Sequence, residues 1–194
     1  MTSTADKWNQ RYVKQLAAAV VPQPAAVLTA NAALLPPPPG PVLDLACGLG
    51  ANAKWLAARG FAVTAWDISP VAINDLRRSS AGTGWMIDAA VRDVLQAPPA
   101  SGAYQAIIVA NFLERSLFPH LVNALAPGGV LFYQTFTLER APDGPGPANP
   151  EYLLAVNELL LLCDSLHLRY YHEPGRADAD AQGLAQLVAQ KQAG

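Results

Sequence analysis

Short apolar runs alternate with longer amphipathic stretches along most of this chain. The apolar runs are rich in β-forming residues and predict strands near residues 42–46, 61–66, 85–90, 104–110 and 129–136. Between them, hydrophobic residues at helical spacing predict helices near residues 51–59, 70–79 and 116–125. Strands and helices that alternate in this way build a parallel sheet through right-handed crossover connections.

The last third of the chain departs from this alternation. Residues 151–163 (EYLLAVNELLLLC) predict a helix, and LHLRYYHE at 166–173 and LAQLVAQK at 184–191 predict two final strands. Only a turn-rich segment separates these strands, which indicates an antiparallel pair. We therefore expect an α/β fold with a Rossmann-like, doubly wound sheet of about seven strands, mostly parallel with an antiparallel last strand.

The N-terminal region has a different pattern. Residues 5–20 mix charged, aromatic and alanine residues at helical spacing, and residues 22–35 predict a second short helix. The PPPPGP run at 36–41 is stiff and extended, and it cannot continue a helix. We therefore expect an N-terminal helical cap or lid at residues 1–35, a proline-rich linker at 36–41, and one α/β domain at 42–194.

Composition excludes several classes of protein. With 52% hydrophobic and 14% charged residues, the chain can bury a sizeable core. The net charge of −2 and the scattered Lys and Arg residues provide no basic surface for nucleic acid. Cys47 and Cys163 have no ligand-like spacing, so we expect no metal site and a reducing, cytoplasmic environment. No apolar run approaches the ~20 residues that a membrane-spanning helix needs.

The sequence VLDLACGLGANA at 42–53 contains the glycine pattern of a nucleotide-binding turn. Gly48 and Gly50 follow an apolar strand, as in dinucleotide-binding folds, where backbone amides hold a pyrophosphate. Asp44 comes just before them, and a carboxylate there would repel a phosphate group. S-adenosylmethionine carries an ammonium and a sulfonium group but no phosphate, so Asp44 favours that cofactor. Asp67, about 20 residues further on, suits the ribose hydroxyls of either ligand.

Ligands of open α/β sheets bind where the carboxyl ends of the strands meet, so the residues after each strand are site candidates. After the first strand, Gly48 lets the backbone approach the cofactor without a Cβ. Ala46 and Cys47 are small, which suits the same close approach.

The neighbouring strands supply further cofactor-binding candidates. Ile68 can cover one face of an adenine, and Asp93 can accept a hydrogen bond from the adenine amine. Core packing for Ile68 and a helix or turn cap for Asp93 are the alternatives. Val94 comes directly after Asp93 and Asn111 follows the fourth strand, so both belong to this set of candidates.

Several segments resemble the class I S-adenosylmethionine-dependent methyltransferases. They are VLDLACGLG, AWDIS, RDV and LAPGGVLFYQTF, which together run from Val42 to Phe136. Ala46 is a departure, because many members of the family have their first glycine there. The resemblance implies that residues 42–194 are a methyltransferase domain that uses S-adenosylmethionine as its cofactor.

Three other segments resemble the tellurite-resistance branch of that family. They are KWNQRY at 7–12, GANAKWLAARGFAVTAWDIS at 50–69, and NPEYLLAVNELL at 149–160 followed by YYHE. In that branch the N-terminal segment resembles a lid, which implies that Arg11 and Tyr12 meet the methionine carboxylate or pack over the sulfonium. The alternative is an aromatic stack of Trp8 and Tyr12 that attaches the cap helix to the domain.

The acceptor-binding candidates come from the same resemblance. Asn111 and Arg115 follow the fourth strand, where the family places acceptor-facing residues, and Arg115 can pair with an anionic acceptor. A surface charge at a helix N-terminus is the alternative for Arg115. His172, at the end of YYHE, is the best candidate among the three histidines. The Pro/Gly-rich loop at 141–150 is long enough to border the site. No catalytic residue is assigned.

These observations predict a methyltransferase that acts on a small molecule, with a metalloid oxyanion (tellurite or selenite) or a thiol-like compound as the acceptor. The segment ANFLER lacks the Asn/Asp-Pro-Pro-Tyr sequence that resembles amino-group methyltransferases. One alternative is an NAD(P)-dependent oxidoreductase that uses Gly48, Gly50 and Asp67, although Asp44 and Asp93 oppose it. The other alternative is a non-catalytic module that binds S-adenosylmethionine.

Overall fold

The computed structural model describes residues 3–140, 144–175 and 183–193, and seven strands of this part form one sheet. They are β1 (Pro41–Leu45), β2 (Ala62–Asp67), β3 (Ile87–Val91), β4 (Tyr104–Ala110), β5 (Leu125–Phe136), β6 (His167–His172) and β7 (Leu184–Gln190). Their order is β3-β2-β1-β4-β5-β7-β6. The pairs from β3 to β5 are parallel, and β7 is antiparallel to both of its neighbours. The predicted α/β fold with a mostly parallel sheet is confirmed.

Helices cover both faces of this sheet. They are α1 (Thr4–Ala17), α2 (Ala26–Ala30), α3 (Ala51–Ala57), α4 (Pro70–Ser80), α5 (Phe118–Ala124) and α6 (Glu158–Leu162). Neighbouring residues of β1 belong to different hydrophobic clusters, Val42 to one and Leu43 to the other. Because successive strand residues point to opposite faces, one cluster lies on each face. α2, α3 and α4 pack on the Val42 face, and α5 and α6 pack on the other.

Local sequence signals explain where α4 begins. The Ser69 hydroxyl accepts a hydrogen bond from the Ala72 N–H at 3.3 Å, and Pro70 is the first helical residue. Both residues are local sequence signals for the start of a helix. The cap fixes the start of α4 directly beside the carboxyl end of β2.

The helix predicted at residues 151–163 is wrong for its first half. The structure has a 3-10 turn at Pro150–Tyr152 and an irregular segment before α6. In that segment Leu154 pairs with the end of β5: its N–H donates to the Phe136 carbonyl, and its carbonyl accepts from the Leu138 N–H, both at 2.9 Å. These tertiary backbone bonds replace the helical ones, so helical spacing of the apolar residues was misleading there.

The two N-terminal helices differ in their contact with the sheet. α1 begins with a capping box formed by Ser3 and Asp6, and it contributes no buried residue. α2 contributes Val27 and Leu28, which are both fully buried in the cluster on the Val42 face. Since α2 is part of the core, we restrict the proposed lid to α1.

No helix within the described ranges has the length and apolar character needed to cross a membrane.

Truncation of Leu28 tests whether α2 belongs to the core. Leu28→Ala removes a fully buried side chain and should lower the free energy of unfolding by about 2–5 kcal/mol. Leu161→Ala is the matched control, because Leu161 is 73% exposed, and it should change the free energy by less than about 0.5 kcal/mol. Urea denaturation followed by circular dichroism measures both. Equal losses in the two variants would contradict the placement of α2.

Candidate functional site

The turn between β1 and α3 brings the backbone close to α1. Ala46, Gly48 and Gly50 have left-handed backbone conformations, with φ angles of 55°, 54° and 76°. A Cβ on Gly48 would lie 3.0 Å from the Tyr12 hydroxyl, so both the backbone angle and the contact with α1 favour glycine. Ala46 has the same kind of backbone conformation despite its Cβ, which explains why glycine suits this position in related sequences.

The carboxylate of Asp67 lies at the end of β2, directly beside this turn. Its Oδ2 accepts a hydrogen bond from the Gly48 N–H at 2.8 Å, and its Oδ1 accepts one from the Ser69 N–H at 2.8 Å. The Tyr12 hydroxyl donates to Oδ2 at 3.4 Å, a longer contact. Burial raises the pKa of this carboxyl, and the three donors counteract the rise. Asp67 therefore connects the turn, α4 and α1.

α1 lies over the turn through a small set of polar and aromatic contacts. The Ser69 hydroxyl donates to the Asn9 side-chain oxygen at 2.6 Å. Trp8 stacks on Tyr12 with ring centroids 5.8 Å apart, and the Arg11 guanidinium lies 5.3 Å from the Trp8 ring. Burial, and then the negative charge of Asp67, raise the pKa of the Tyr12 hydroxyl, so it stays protonated and acts as a donor. Both the aromatic stack and the position of Tyr12 over the turn are present.

Asp44, which was predicted as a partner of a cationic cofactor, does not line the cavity. Its side chain is fully buried beneath the turn. The Asn52 side-chain amide donates to Oδ1 at 3.3 Å, and the Ala53 N–H donates to Oδ2 at 3.0 Å. Burial raises the pKa of Asp44 to about 7. Asp44 therefore holds the first turn of α3 in place.

A cavity of about 500 Å³ lies at the carboxyl ends of the strands, between α1, the turn, β4 and β5. This size is typical of small-molecule sites. The predicted site residues that line it are Arg11, Tyr12, Ala46, Cys47, Gly48, Asp67 and Asn111. Pro145–Pro147 border it as well, so the predicted Pro/Gly-rich loop does reach the cavity. Residues 141–143 of that loop lie outside the described part of the chain.

Three predicted adenine-side residues do not line this cavity. The Asp93 carboxylate accepts a hydrogen bond from the Leu95 N–H at 3.0 Å, which makes it a turn cap. Val94 is 7% exposed and packs in the cluster opposite Val42. Ile68 is partly buried next to Asp67. The cavity therefore lies at the ends of β1, β2, β4 and β5 and does not reach these three side chains.

The two predicted acceptor ligands, Arg115 and His172, both lie outside the cavity lining. Arg115 forms an ion pair with Glu158, with 2.5 Å between Nε and Oε1, and it also donates to the carbonyls of Glu151 and Leu153 at 2.7 and 3.0 Å. It fastens the irregular segment before α6 and does not line the cavity. His172 is an exposed residue at the end of β6, away from the cavity.

Several lining residues were missed by the sequence analysis. Phe112, Phe136 and Leu184 form apolar walls at the ends of β4, β5 and β7. Asn52 and Gln134 are polar residues, 8% and 5% exposed, that also line the cavity. The sequence did contain a signal for Gln134, which is the one amide in the mainly apolar run VLFYQTF. The residues of the apolar walls gave no such signal, because large apolar residues at strand ends are common in cores.

Residues 42–129, slightly under half of the chain, match the family described as "Methyltransferase domain". A curated relative, the ubiquinone biosynthesis O-methyltransferase of Xanthomonas axonopodis pv. citri (strain 306), is 33% identical over 116 residues. That match covers 57% of this chain and 48% of the relative, so the chain spans about half the length of the curated protein.

Solved structures share the fold over most of the chain. TehB from Haemophilus influenzae has a TM-score of 0.70 at 22% identity, covering 95% of this chain and 67% of TehB. A SAM-dependent methyltransferase from Aquifex aeolicus has a TM-score of 0.66 at 16% identity, covering 85% of this chain and 89% of that one.

Residues 42–129 are thus similar to methyltransferase domains, and the sheet has the fold of S-adenosylmethionine-dependent methyltransferases. The chain shares this fold with TehB over most of its length.

Asp44 should make the stability depend on pH. Because burial raises its pKa to about 7, the folded protein keeps a proton that the unfolded chain loses above about pH 4. Between these values the folded state binds more protons, so this carboxyl lowers the free energy of unfolding as pH rises, by at most about 1.4 kcal/mol per pH unit. Asp44→Asn removes this contribution.

We therefore expect Asp44→Asn to gain stability relative to wild type between pH 5 and pH 7. Urea denaturation of both proteins at several pH values measures the difference. A difference that stays constant with pH would contradict the raised pKa.

Proposed function

We propose that this protein transfers the methyl group of S-adenosylmethionine to a small-molecule acceptor. The acceptor is a metalloid oxyanion, tellurite or selenite, or a thiol-like compound. The observation that carries the proposal is the Asp67 carboxylate at the end of β2, which lines the cavity beside the glycine turn. That turn follows β1, next to the point between β1 and β4 where the strand order reverses.

Asp67 is suited to binding the ribose of the cofactor. It already accepts a hydroxyl hydrogen bond from Tyr12, the longest of its three contacts at 3.4 Å. A ribose hydroxyl is the same kind of donor and can replace the tyrosine hydroxyl, while Gly48 and Ser69 keep the carboxylate in position. Tyr12 then packs over the bound cofactor, and Arg11 meets the methionine carboxylate.

An NAD(P)-dependent oxidoreductase agrees less well with this architecture. Dinucleotide-binding folds commonly have the strand order 3-2-1-4-5-6 in a parallel sheet, whereas here the antiparallel β7 lies between β5 and β6. Arg11 is the single Lys or Arg among the described residues that line the cavity. The two phosphates of a pyrophosphate next to the turn would have to share Arg11 as their positive partner. They would also lie close to the carboxylate of Asp67, which repels them.

The cavity favours an acceptor that is already nucleophilic. Its described lining residues include no histidine, lysine or glutamate, and the carboxylate of Asp67 is held by three donors. Transfer from a sulfonium is an in-line displacement with a good leaving group, so alignment and exclusion of water supply most of the acceleration. A thiolate or a metalloid oxyanion already carries the attacking lone pair and needs no general base.

The relatives support the class of acceptor. The Xanthomonas relative is by name a ubiquinone biosynthesis O-methyltransferase, which favours a small-molecule acceptor for this chain. The metalloid or thiol-like acceptor rests on the resemblance to the tellurite-resistance branch, which the fold of TehB supports. Both are proposals for this chain, since it spans about half of the first protein and about two thirds of the second.

Calorimetric titration tests the cofactor. Wild type should bind S-adenosylmethionine and S-adenosylhomocysteine, and Asp67→Ala should bind them about 10–100-fold more weakly, since a charge-assisted hydrogen bond is worth about 1.5–3 kcal/mol. Asp88→Ala is the matched control, because Asp88 is an exposed residue of β3. A thermal melt checks that each variant is folded. Tight binding of NADH without binding of S-adenosylhomocysteine would overturn the proposal.

A headspace assay tests the acceptor. Purified protein with S-adenosylmethionine, a thiol reductant, and tellurite or selenite should release volatile methylated tellurium or selenium, and Asp67→Ala should release at least tenfold less. Turnover of an unrelated small molecule without any volatile product would remove the metalloid acceptor. Cofactor binding without turnover of any acceptor in a broad panel would instead favour a non-catalytic binding module.

A further inference from the structure

Two buried amide side chains attach α2 to the sheet domain. Asn52 accepts a hydrogen bond from the Ala25 N–H at 2.8 Å, and Gln134 of β5 accepts one from the Val27 N–H at 3.1 Å. Both side chains are more than nine-tenths buried. Each amide therefore uses its oxygen to hold a backbone N–H of the cap.

The orientation of each amide follows from these bonds. A backbone N–H can donate only to the side-chain oxygen, so the NH2 group of each amide must point the other way. In Asn52 that group donates to the Asp44 carboxylate at 3.3 Å. In Gln134 the NH2 group meets no acceptor among the described residues, and Gln134 lines the cavity.

Because Gln134 lines the cavity, this NH2 group is available to an acceptor atom of whatever molecule occupies the cavity. The surroundings of Gln134 restrict what that partner can be. Phe112, Phe136 and Leu184 are apolar, and the Asn111 side chain is a neutral amide. The Asn111 N–H donates to the Gln134 backbone carbonyl at 2.8 Å, which places the two amide residues next to each other at the ends of β4 and β5.

We propose that Gln134 is a specificity-determining residue whose side-chain NH2 group binds an oxygen atom of the methyl acceptor. The inference rests on the proposed function, and it names the class of acceptor more closely. The acceptor is a compact molecule that is neutral or anionic, carries an oxygen with a free lone pair, and fits between apolar walls. Cationic amines fit less well, because the described residues at this end of the cavity include no carboxylate.

Two substitutions separate this role from the attachment of α2. Gln134→Glu keeps an oxygen for the Val27 N–H and replaces the NH2 group by a second oxygen, whereas Gln134→Met removes both functions at similar size. Gln105→Glu is the control, because Gln105 is an exposed residue of β4. Thermal melts report whether the variants fold.

The binding experiment uses protein saturated with S-adenosylhomocysteine and three probes: sodium selenite, phenol and benzylamine. Calorimetry should show that wild type and Gln105→Glu bind selenite or phenol. Binding should be at least tenfold weaker in Gln134→Glu and Gln134→Met, while the Kd for S-adenosylhomocysteine changes less than threefold in all variants. The side-chain NH2 signals of Gln134 can be assigned in the amide NMR spectrum, because they are lost in Gln134→Glu. In wild type these signals should shift when the oxygen probe binds.

The proposal is overturned if neither oxygen probe binds wild type, if both Gln134 variants bind as tightly as wild type, or if benzylamine binds more tightly than the oxygen probes. Failure of wild type to bind S-adenosylhomocysteine is a different result. It overturns the proposed function and, with it, the role of Gln134.

Discussion

The carboxylate of Asp67 is the interaction on which the rest of the site depends. The turn after β1, the start of α4 and the cap helix α1 meet at this side chain through Gly48, Ser69 and Tyr12. A carboxylate removed from water is unfavourable without hydrogen-bond donors, and each of the three elements supplies one. The positions of the turn and of α1 therefore follow from keeping one buried charge satisfied. In the proposed function, a hydroxyl of the ligand takes over one of these bonds.

A second set of buried polar groups makes one wall of the cavity rigid. The Asp44 carboxylate fixes Asn52, and Asn52 and Gln134 hold the backbone of α2. Together with the fully buried Leu28, these bonds make α2 a part of the core. α1 has no buried residue and is attached mainly by the contacts around Asp67 and Ser69. The cavity thus has a fixed wall on the α2 side and a weakly attached wall on the α1 side.

The sequence predicted the fold well, because alternating strand and helix patterns and the cap at Ser69 are local signals. It failed where tertiary contacts decide the structure. Leu154 pairs with β5 although its neighbours have helical spacing, and Arg115 forms an ion pair with a distant segment. Asp44 lies beneath the turn, and a sequence does not show whether a carboxylate faces a cavity or lies beneath it. Among the described residues, the NH2 group of Gln134 is free because the Val27 N–H bonds to the oxygen of the same amide, and a sequence does not show this pairing.

A crystal structure of the complex with S-adenosylhomocysteine tests the central claim most directly. The account predicts ribose hydroxyls within about 3 Å of the Asp67 carboxylate, in place of the Tyr12 hydroxyl. It also predicts that Gly48 and Ser69 keep their bonds to that carboxylate and that the homocysteine carboxylate lies next to Arg11. A complex in which Tyr12 still donates to Asp67 and the adenosine lies elsewhere would contradict it.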